Sequence, residues 1–302
     1  MKRIIIAIIV ILLLVTGCAP KEPPAQVAAT TLPVYEFTLR LCQGTDITVT
    51  RLVTESVSCL HDYSLNVRQT KAAEGAEVIV QSGAGLEEFL EDLLAGKDTV
   101  IDASAGINLL CGTDAHQEEH HDHDHDHDHD HDHGHSHAQD PHIWLSPENA
   151  KIMARNICTG LTARYPQYAD VFSANLEALL ADLDALQAYG EAQLSQLSCR
   201  ELITFHDGFA YFADAFGLTI LEAVEEESGS EASARELKTL IQLTREHDLP
   251  AIFTEANGSC SAAEVIARET GASLYTLDMA MAGDSYFDAM YRNIDTIKEA
   301  LE

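Results

Sequence analysis

Two parallel-sheet α/β lobes joined by a long, rigid backbone helix are what this 302-residue sequence predicts, and three observations predict them. Short β-branched runs alternate with helical patterns through the first part of the chain. From residue 147 to about 197 the apolar spacing becomes helical only, with Leu176, Leu179, Leu183 and Leu186 three and four apart. The alternation then resumes and runs to the end.

Taken in order, residues 1–17 open on Lys2 and Arg3, followed by an apolar run over 4–15 and the small pair Thr16-Gly17. The run is shorter than the roughly 20 residues that span a bilayer, so it reads as an export signal. Leu14-Val15-Thr16-Gly17-Cys18 resembles the bacterial lipoprotein box, in which the cysteine is lipidated and becomes the first mature residue. A lipid-anchored tether over 18–25, with three prolines, is expected to follow, placing the chain on the outer face of the bacterial cytoplasmic membrane.

The first lobe is expected over 26–146, with strands at 47–53, 77–80 and 99–102 and helices at 66–75 and 86–95. Linking helices fill 147–198 and are divided by Pro166. Their second piece, roughly 30 residues at about 1.5 Å each, would reach about 45 Å. The second lobe, 199–302, takes strands at 201–205, 219–223, 251–254 and 273–277, with helices at 233–246, 262–270 and 285–301.

A net charge of −31 argues against nucleic acid and against adhesion to anionic lipid, and points to cations as partners. Besides Cys18 there are six cysteines, at 42, 59, 111, 158, 199 and 260. An even number in an exported chain leads us to expect disulfides, with the pairing left open. No Cys-x-x-Cys spacing occurs, so neither a cysteine zinc knuckle nor a thioredoxin-like motif is indicated.

Residues 114–139 hold eleven of the fifteen histidines, among them His120, His121, His123, His125, His127, His129, His131, His133, His135 and His137, mostly alternating with aspartate. Almost nothing apolar is present to build a core, so the segment reads as a disordered loop. Its imidazoles suit zinc, copper and nickel, which makes it a weak, multivalent metal collector.

Four histidines remain outside that loop, and three lie where open parallel sheets bind ligands, beyond the carboxyl ends of strands. His61 lies in the loop after the strand ending at Val53, His206 directly follows the strand 202–205, and His142 precedes the linking helices. The fourth, His247, closes a polar helix and is expected to face solvent. Asp278, ending the strand 273–277, is a fourth candidate ligand. Three imidazoles and a carboxylate form a closed tetrahedral set suited to zinc at about 2.0–2.2 Å per bond. Asp140, Asp207 and Glu255 are candidates to orient the imidazoles through their other nitrogens. The Trp144 ring reads as core, and Glu225-Glu226-Glu227 as a solvated loop or a face that a partner recognises.

The segments His61-Asp62-Tyr63, Asp140-Pro141-His142-Ile143-Trp144-Leu145-Ser146-Pro147, Phe205-His206-Asp207-Gly208-Phe209-Ala210-Tyr211-Phe212 and Asp284-Ser285-Tyr286-Phe287 resemble the zinc- and manganese-binding solute receptors of ABC importers. The likeness runs through essentially the whole mature chain. It implies two lobes on a backbone helix with metal between them, His61, His142 and His206 as ligands, Asp278 matching the fourth position, and a His-rich loop at 114–139. It also implies a monomeric, non-enzymatic receptor that carries Zn2+ as cargo to a membrane permease. Manganese members tend to have a carboxylate at the third position, where this chain has His206, so zinc is favoured. The alternatives are a manganese or iron receptor of the same family and an extracellular zinc buffer or adhesin. A zinc hydrolase gains little support, since no His-Glu-x-x-His helix, Gly-x-Ser-x-Gly elbow or Walker loop is present.

Overall fold

The computed structural model describes residues 26–55, 60, 63–95, 97, 99–110, 139–223, 232–256 and 260–302. The export signal, Cys18, Cys59, His61, Asp62, Cys111, the loop histidines and the acids 225–227 lie outside the described residues.

The first sheet consists of β1 (Val27–Ala29), β2 (Val49–Arg51), β3 (Val78–Gln81) and β4 (Val100–Asp102), in the order β2-β1-β3-β4. The second repeats that order with β5 (Glu201–Thr204), β6 (Thr219–Ala223), β7 (Ala251–Glu255) and β8 (Ser273–Leu277), arranged β6-β5-β7-β8. Every strand pairing among the described residues is parallel. In such a sheet the chain leaves the two central strands in opposite directions, opening a crevice at their carboxyl ends. The residues just beyond those ends are Thr30 and Ser82 in the first lobe and Phe205 and Ala256 in the second.

Strand residues divide by parity between two cores. Val27, Ala29, Val78 and Val80 face the large central core, whereas Ala28 and Ile79 face a smaller one with Ala73 and Leu90. In the second lobe Leu202, Ala251 and Phe253 join the central core, while Ile203 and Ile252 meet Leu240, Ala263 and Ile266. The central core is continuous through both lobes and includes the fully buried Phe37, Trp144, Phe172 and Tyr286.

The helices are α1 (Leu32–Leu41), α2 (Val67–Gly75), α3 (Glu91–Leu94), α4 (Pro147–Arg164), α5 (Ala169–Leu194), α6 (Ala210–Phe216), α7 (Ala234–Glu246), α8 (Ser261–Thr270) and α9 (Tyr286–Leu301). The Ser146 hydroxyl caps α4 at Asn149 N, and Pro147, which has no N–H to leave unsatisfied, begins it. A 3-10 turn at Pro166–Tyr168 separates α4 from α5. The 26 residues of α5 span about 39 Å, somewhat less than the sequence pattern suggests. It braces both lobes: Asn175 Nδ2 donates to Leu41 O and Tyr189 Oη to Asp295. At Gly190 a Cβ would lie 2.2 Å from the Phe216 ring, so only glycine lets α6 approach this closely.

The segment between β8 and α9 is stitched to the first lobe. Met279 O accepts from Trp144 Nε1 at 2.7 Å, Met281 O from Leu32 N at 3.2 Å and Gly283 O from Arg51 Nη1 at 2.7 Å. Tyr286 N donates to Glu36 Oε2 at 2.6 Å. Alternate carbonyls of one loop thus take donors from across the cleft.

Three features differ from the sequence expectation. β1, α1 and α6 are absent from it, because β1 is three residues long and its helix begins almost at once. The expected helix at 86–95 is a 3-10 turn, Glu88–Leu90, followed by the short α3. The disulfide expectation is corrected for the four described cysteines: Cys42, Cys158, Cys199 and Cys260 are free thiols. Their surroundings explain why. Cys42 and Cys158 are buried as small hydrophobes in the central core, where burial pushes the Cys42 thiol up to about 12, while Cys260 is exposed at the start of α8.

Candidate metal centre

Asp140, Pro141 and His142 lead into a 3-10 turn, Ile143–Leu145, all three of whose side chains are fully buried. That anchorage fixes the approach of His142. Asp140 N donates to Leu110 O, and both Asp140 and Leu110 are tied to Tyr211: Leu110 N donates to its Oη at 2.9 Å, and Oη donates to Asp140 O at 2.9 Å. At the other end of the turn, Tyr286 Oη donates to Trp144 O at 2.8 Å.

Asp140 Oδ1 receives both the backbone N–H and Nδ1 of His142, each at 2.8 Å. A carboxylate only accepts, so Nδ1 carries the proton and the Nε2 lone pair is left to point outward. Both residues are buried, at 4% and 2% exposure. This is the carboxylate–imidazole arrangement that fixes the tautomer of a metal-binding histidine.

His206 comes from the other lobe, two residues beyond the end of β5, at the switch point of the second sheet. It is buried, and Thr204 Oγ1 donates to its carbonyl at 3.1 Å. The two rings stand edge to face, with centroids 5.1 Å apart and Nε2 to Nε2 at 3.3 Å. Two nitrogens bound to one zinc at about 2.05 Å, at a tetrahedral angle, lie about 3.3 Å apart. The pair therefore has the spacing that a shared tetrahedral ion requires.

Gly208 makes that approach sterically feasible. A Cβ there would lie 2.6 Å from Met279 Cε, 2.8 Å from His206 Cδ2 and 3.0 Å from His142 Nδ1. The Met279 methyl and both imidazoles thus close around Gly208, and Trp144 lies edge-on to His142 with ring centroids 5.4 Å apart. Trp144 itself is fully buried core, as its sequence context suggests.

The remaining candidates fall as follows. His61 lies outside the described residues, but the chain on either side is held: Leu60 is 1% exposed, and Tyr63 N donates to Leu60 O. Tyr63 Oη and Gln69 Nε2 both donate to Glu55 Oε2, at 2.7 and 2.9 Å, tying together the ends of that loop. Asp207 is half-buried, and Glu255 ends β7 at 6% exposure. His247 pairs at the surface with Glu201 at 2.8 Å. Asp278, next to Met279, accepts from Ala280 N through Oδ1 and from Arg292 through Oδ2. Among the described residues no group of three His, Cys, Asp or Glu side chains that could hold a metal ion occurs, so the described part of the centre is the His142–His206 pair.

Sequence reasoning missed Gly208 and Tyr211 as parts of the site, and also Glu87. The Glu87 carboxyl lies buried at the carboxyl end of the first sheet, accepting from Thr30 Oγ1 at 2.6 Å, Ser82 N at 2.7 Å and Gly83 N at 3.0 Å. Burial pushes it up to about 7 despite those donors.

The family profile described as zinc-uptake complex component A periplasmic, ZnuA, matches residues 27–300. The zinc-binding protein AdcA of Streptococcus pyogenes serotype M3 is 29% identical over 290 residues, covering 92% of this chain but 56% of that protein. The chain thus spans little more than half the length of that relative. The high-affinity zinc uptake system protein ZnuA of Bacillus subtilis strain 168 is 29% identical over 293 residues, covering 93% of this chain and 89% of that protein. A crystal structure of ZnuA superposes with a TM-score of 0.76 at 31% identity, covering 91% of this chain and 99% of that one. With a match that runs through both sheets and the helices between them, this chain belongs to the ZnuA family, zinc-uptake complex component A.

Proposed function

We propose that this chain is an extracytoplasmic zinc receptor that holds one Zn2+ between its lobes and delivers it to the permease of an ABC importer. The observation that carries the reading is the 3.3 Å separation of His142 Nε2 and His206 Nε2 across the cleft, with Asp140 setting the tautomer of His142. His61 is the third ligand. Asp207 and Glu255 help orient imidazoles, and Asp278 is the candidate fourth donor. Lipidation at Cys18 tethers the monomer to the outer face of the cytoplasmic membrane. The histidines of 114–139 gather metal weakly and raise its local concentration.

Capture needs no chemistry beyond exchange of ligands. Neutral imidazoles bind the ion, buried walls exclude water around it, and protonation favours release, since binding requires deprotonated donors. Zinc is preferred to manganese because imidazole suits the softer ion and manganese favours oxygen donors. The names of the two relatives, a zinc-binding protein and a zinc uptake protein, agree with that choice.

Isothermal titration of zinc and manganese into metal-stripped protein lacking 114–139, beside its His206→Ala variant, tests the reading. One tight zinc site that outcompetes manganese and collapses in the variant is expected. No tight site would leave the loop as the metal binder and sink the receptor reading. Failure of a deletion strain to grow in low zinc, with rescue by added zinc, separates an importer's receptor from a buffer or adhesin.

A further inference from the structure

We infer that Tyr211 is a positioning residue whose single hydroxyl closes the neck of the His-rich segment and seats Asp140, and through it the His142 imidazole, against the second lobe. The inference rests on the zinc-receptor reading and deepens it.

Leu110 and Asp140 flank the His-rich segment, and one backbone bond joins them directly, Asp140 N donating to Leu110 O at 3.0 Å. Their other two main-chain groups both go to Tyr211. Its Oη accepts from Leu110 N at 2.9 Å and donates to Asp140 O at 2.9 Å, because a phenolic hydroxyl can do both at once. Three hydrogen bonds therefore close a ring through Leu110, Asp140 and Tyr211. The anchor itself is firm. Tyr211 is buried on α6, whose Phe216 ring presses on Gly190 of α5 and whose end is held by Arg200 Nη1, donating to Phe216 O at 3.2 Å and Gly217 O at 2.9 Å. The same helix packs against the 3-10 turn that follows His142.

Asp140 needs that anchor. Its Oδ1 takes the backbone N–H and Nδ1 of His142, each at 2.8 Å, which fixes the imidazole relative to the Asp140 main chain. Those local bonds do not fix that main chain relative to His206, which stands on the other lobe. Tyr211 does, since it follows His206 by five residues and reaches the Asp140 carbonyl directly. Removing the hydroxyl takes one partner from Leu110 N and one from the buried Asp140 O, freeing the carboxylate that sets the His142 tautomer. The neck of the metal-collecting segment and the support of a cleft ligand thus share one atom.

The test is a double-substitution cycle on the full chain, comprising wild type, Tyr211→Phe, Asp140→Asn and the pair together. Zinc affinity of the tight site is read by competition with a chelator strong enough to strip the weak sites. The ring N–H proton resonance of His142 in the metal-free protein, assigned by its absence in His142→Gln, reports positioning without zinc. Tyr211→Phe should weaken zinc binding about tenfold, the lower end for loss of an outer hydrogen bond, and bring that proton into faster exchange with water. The double variant should match Asp140→Asn within about twofold. Tyr211→4-aminophenylalanine, which keeps an N–H donor for Asp140 O, should restore both affinity and resonance, separating the lost donor from a folding defect. Affinity and resonance unchanged in Tyr211→Phe would remove the role. Losses that multiply in the double variant, or no rescue by the amine, would reduce Tyr211 to lobe packing. Each of those outcomes overturns the inference while leaving the receptor intact, whereas zinc affinity unmoved by His206→Ala overturns the receptor reading itself.

Discussion

His142 Nε2 and His206 Nε2 stand 3.3 Å apart although 64 residues and the two linking helices separate them in the chain. Nothing local brings them together. One imidazole hangs from a turn whose three buried side chains anchor it in the shared core, and the other follows the central strand of the second sheet. Their meeting is a product of the lobe-to-lobe packing, which links metal binding to the integrity of the whole fold.

Because Asp140 sets the tautomer of His142, Asp140→Asn should weaken zinc binding about 10- to 100-fold with little change in secondary structure. Chelator competition measures the affinity, and circular dichroism checks the fold. An unchanged affinity would show that the hydrogen bond plays no part in binding.

Gly208→Ala should damage the same site by crowding. The added methyl meets Met279 Cε at 2.6 Å and both imidazoles at 2.8 and 3.0 Å. Overpacking of that kind typically destabilises by about 1–3 kcal/mol. Combining it with Met279→Ala should recover part of the lost stability, since the flexible thioether is one source of the clash. Thermal unfolding of the single and double variants provides the comparison.

Trp144→Phe keeps the ring buried but leaves Met279 O without its donor from the first lobe. A buried carbonyl stripped of its partner costs about 1–3 kcal/mol. Urea unfolding should move by that amount, and a shift below about 0.5 kcal/mol would mean that the stitch contributes nothing to joining the lobes.

Glu87 provides the pH dependence. Its folded carboxyl lies near 7, above its ordinary value of 4.5, so the folded state holds the proton more tightly than the unfolded chain. The stability this contributes is fully present below about 4.5 and is lost as pH rises through about 7. Relative to Glu87→Gln, the wild type should therefore lose on the order of 3 kcal/mol between about pH 4.5 and about pH 8. A difference between the two proteins that stays constant with pH would contradict this.

Much of this arrangement is legible in the sequence alone. The β6 and β8 boundaries follow directly from their runs of residues, and the leucines at 179, 183 and 186 that mark α5 face the core. His142 and His206 can be singled out because parallel sheets leave ligand positions just beyond strand ends, and histidines are scarce outside the loop. What stays hidden depends on distant residues meeting. β1 is three residues long, and only its place between β2 and β3 makes it a central strand. Gly208 and Tyr211 lie in motifs that carry the family likeness, but Gly208 meets Met279 from beyond the last strand and Tyr211 reaches Asp140 across the cleft. Counting cysteines misleads for a related reason: an even number reports composition, not proximity, and Cys42 and Cys158 serve as core hydrophobes. In sequence Asp140 could equally be a surface acid, and its 4% exposure decides the matter.

The most direct test of the central claim is zinc K-edge absorption of the protein lacking 114–139, loaded with one equivalent of zinc, compared with His206→Ala. The account predicts a four-coordinate first shell of light donors at about 2.0–2.1 Å, with imidazole outer-shell scattering fitted by three rings and by one fewer in the variant. A spectrum fitted by oxygen donors without imidazole, or one unaltered by His206→Ala, would contradict it.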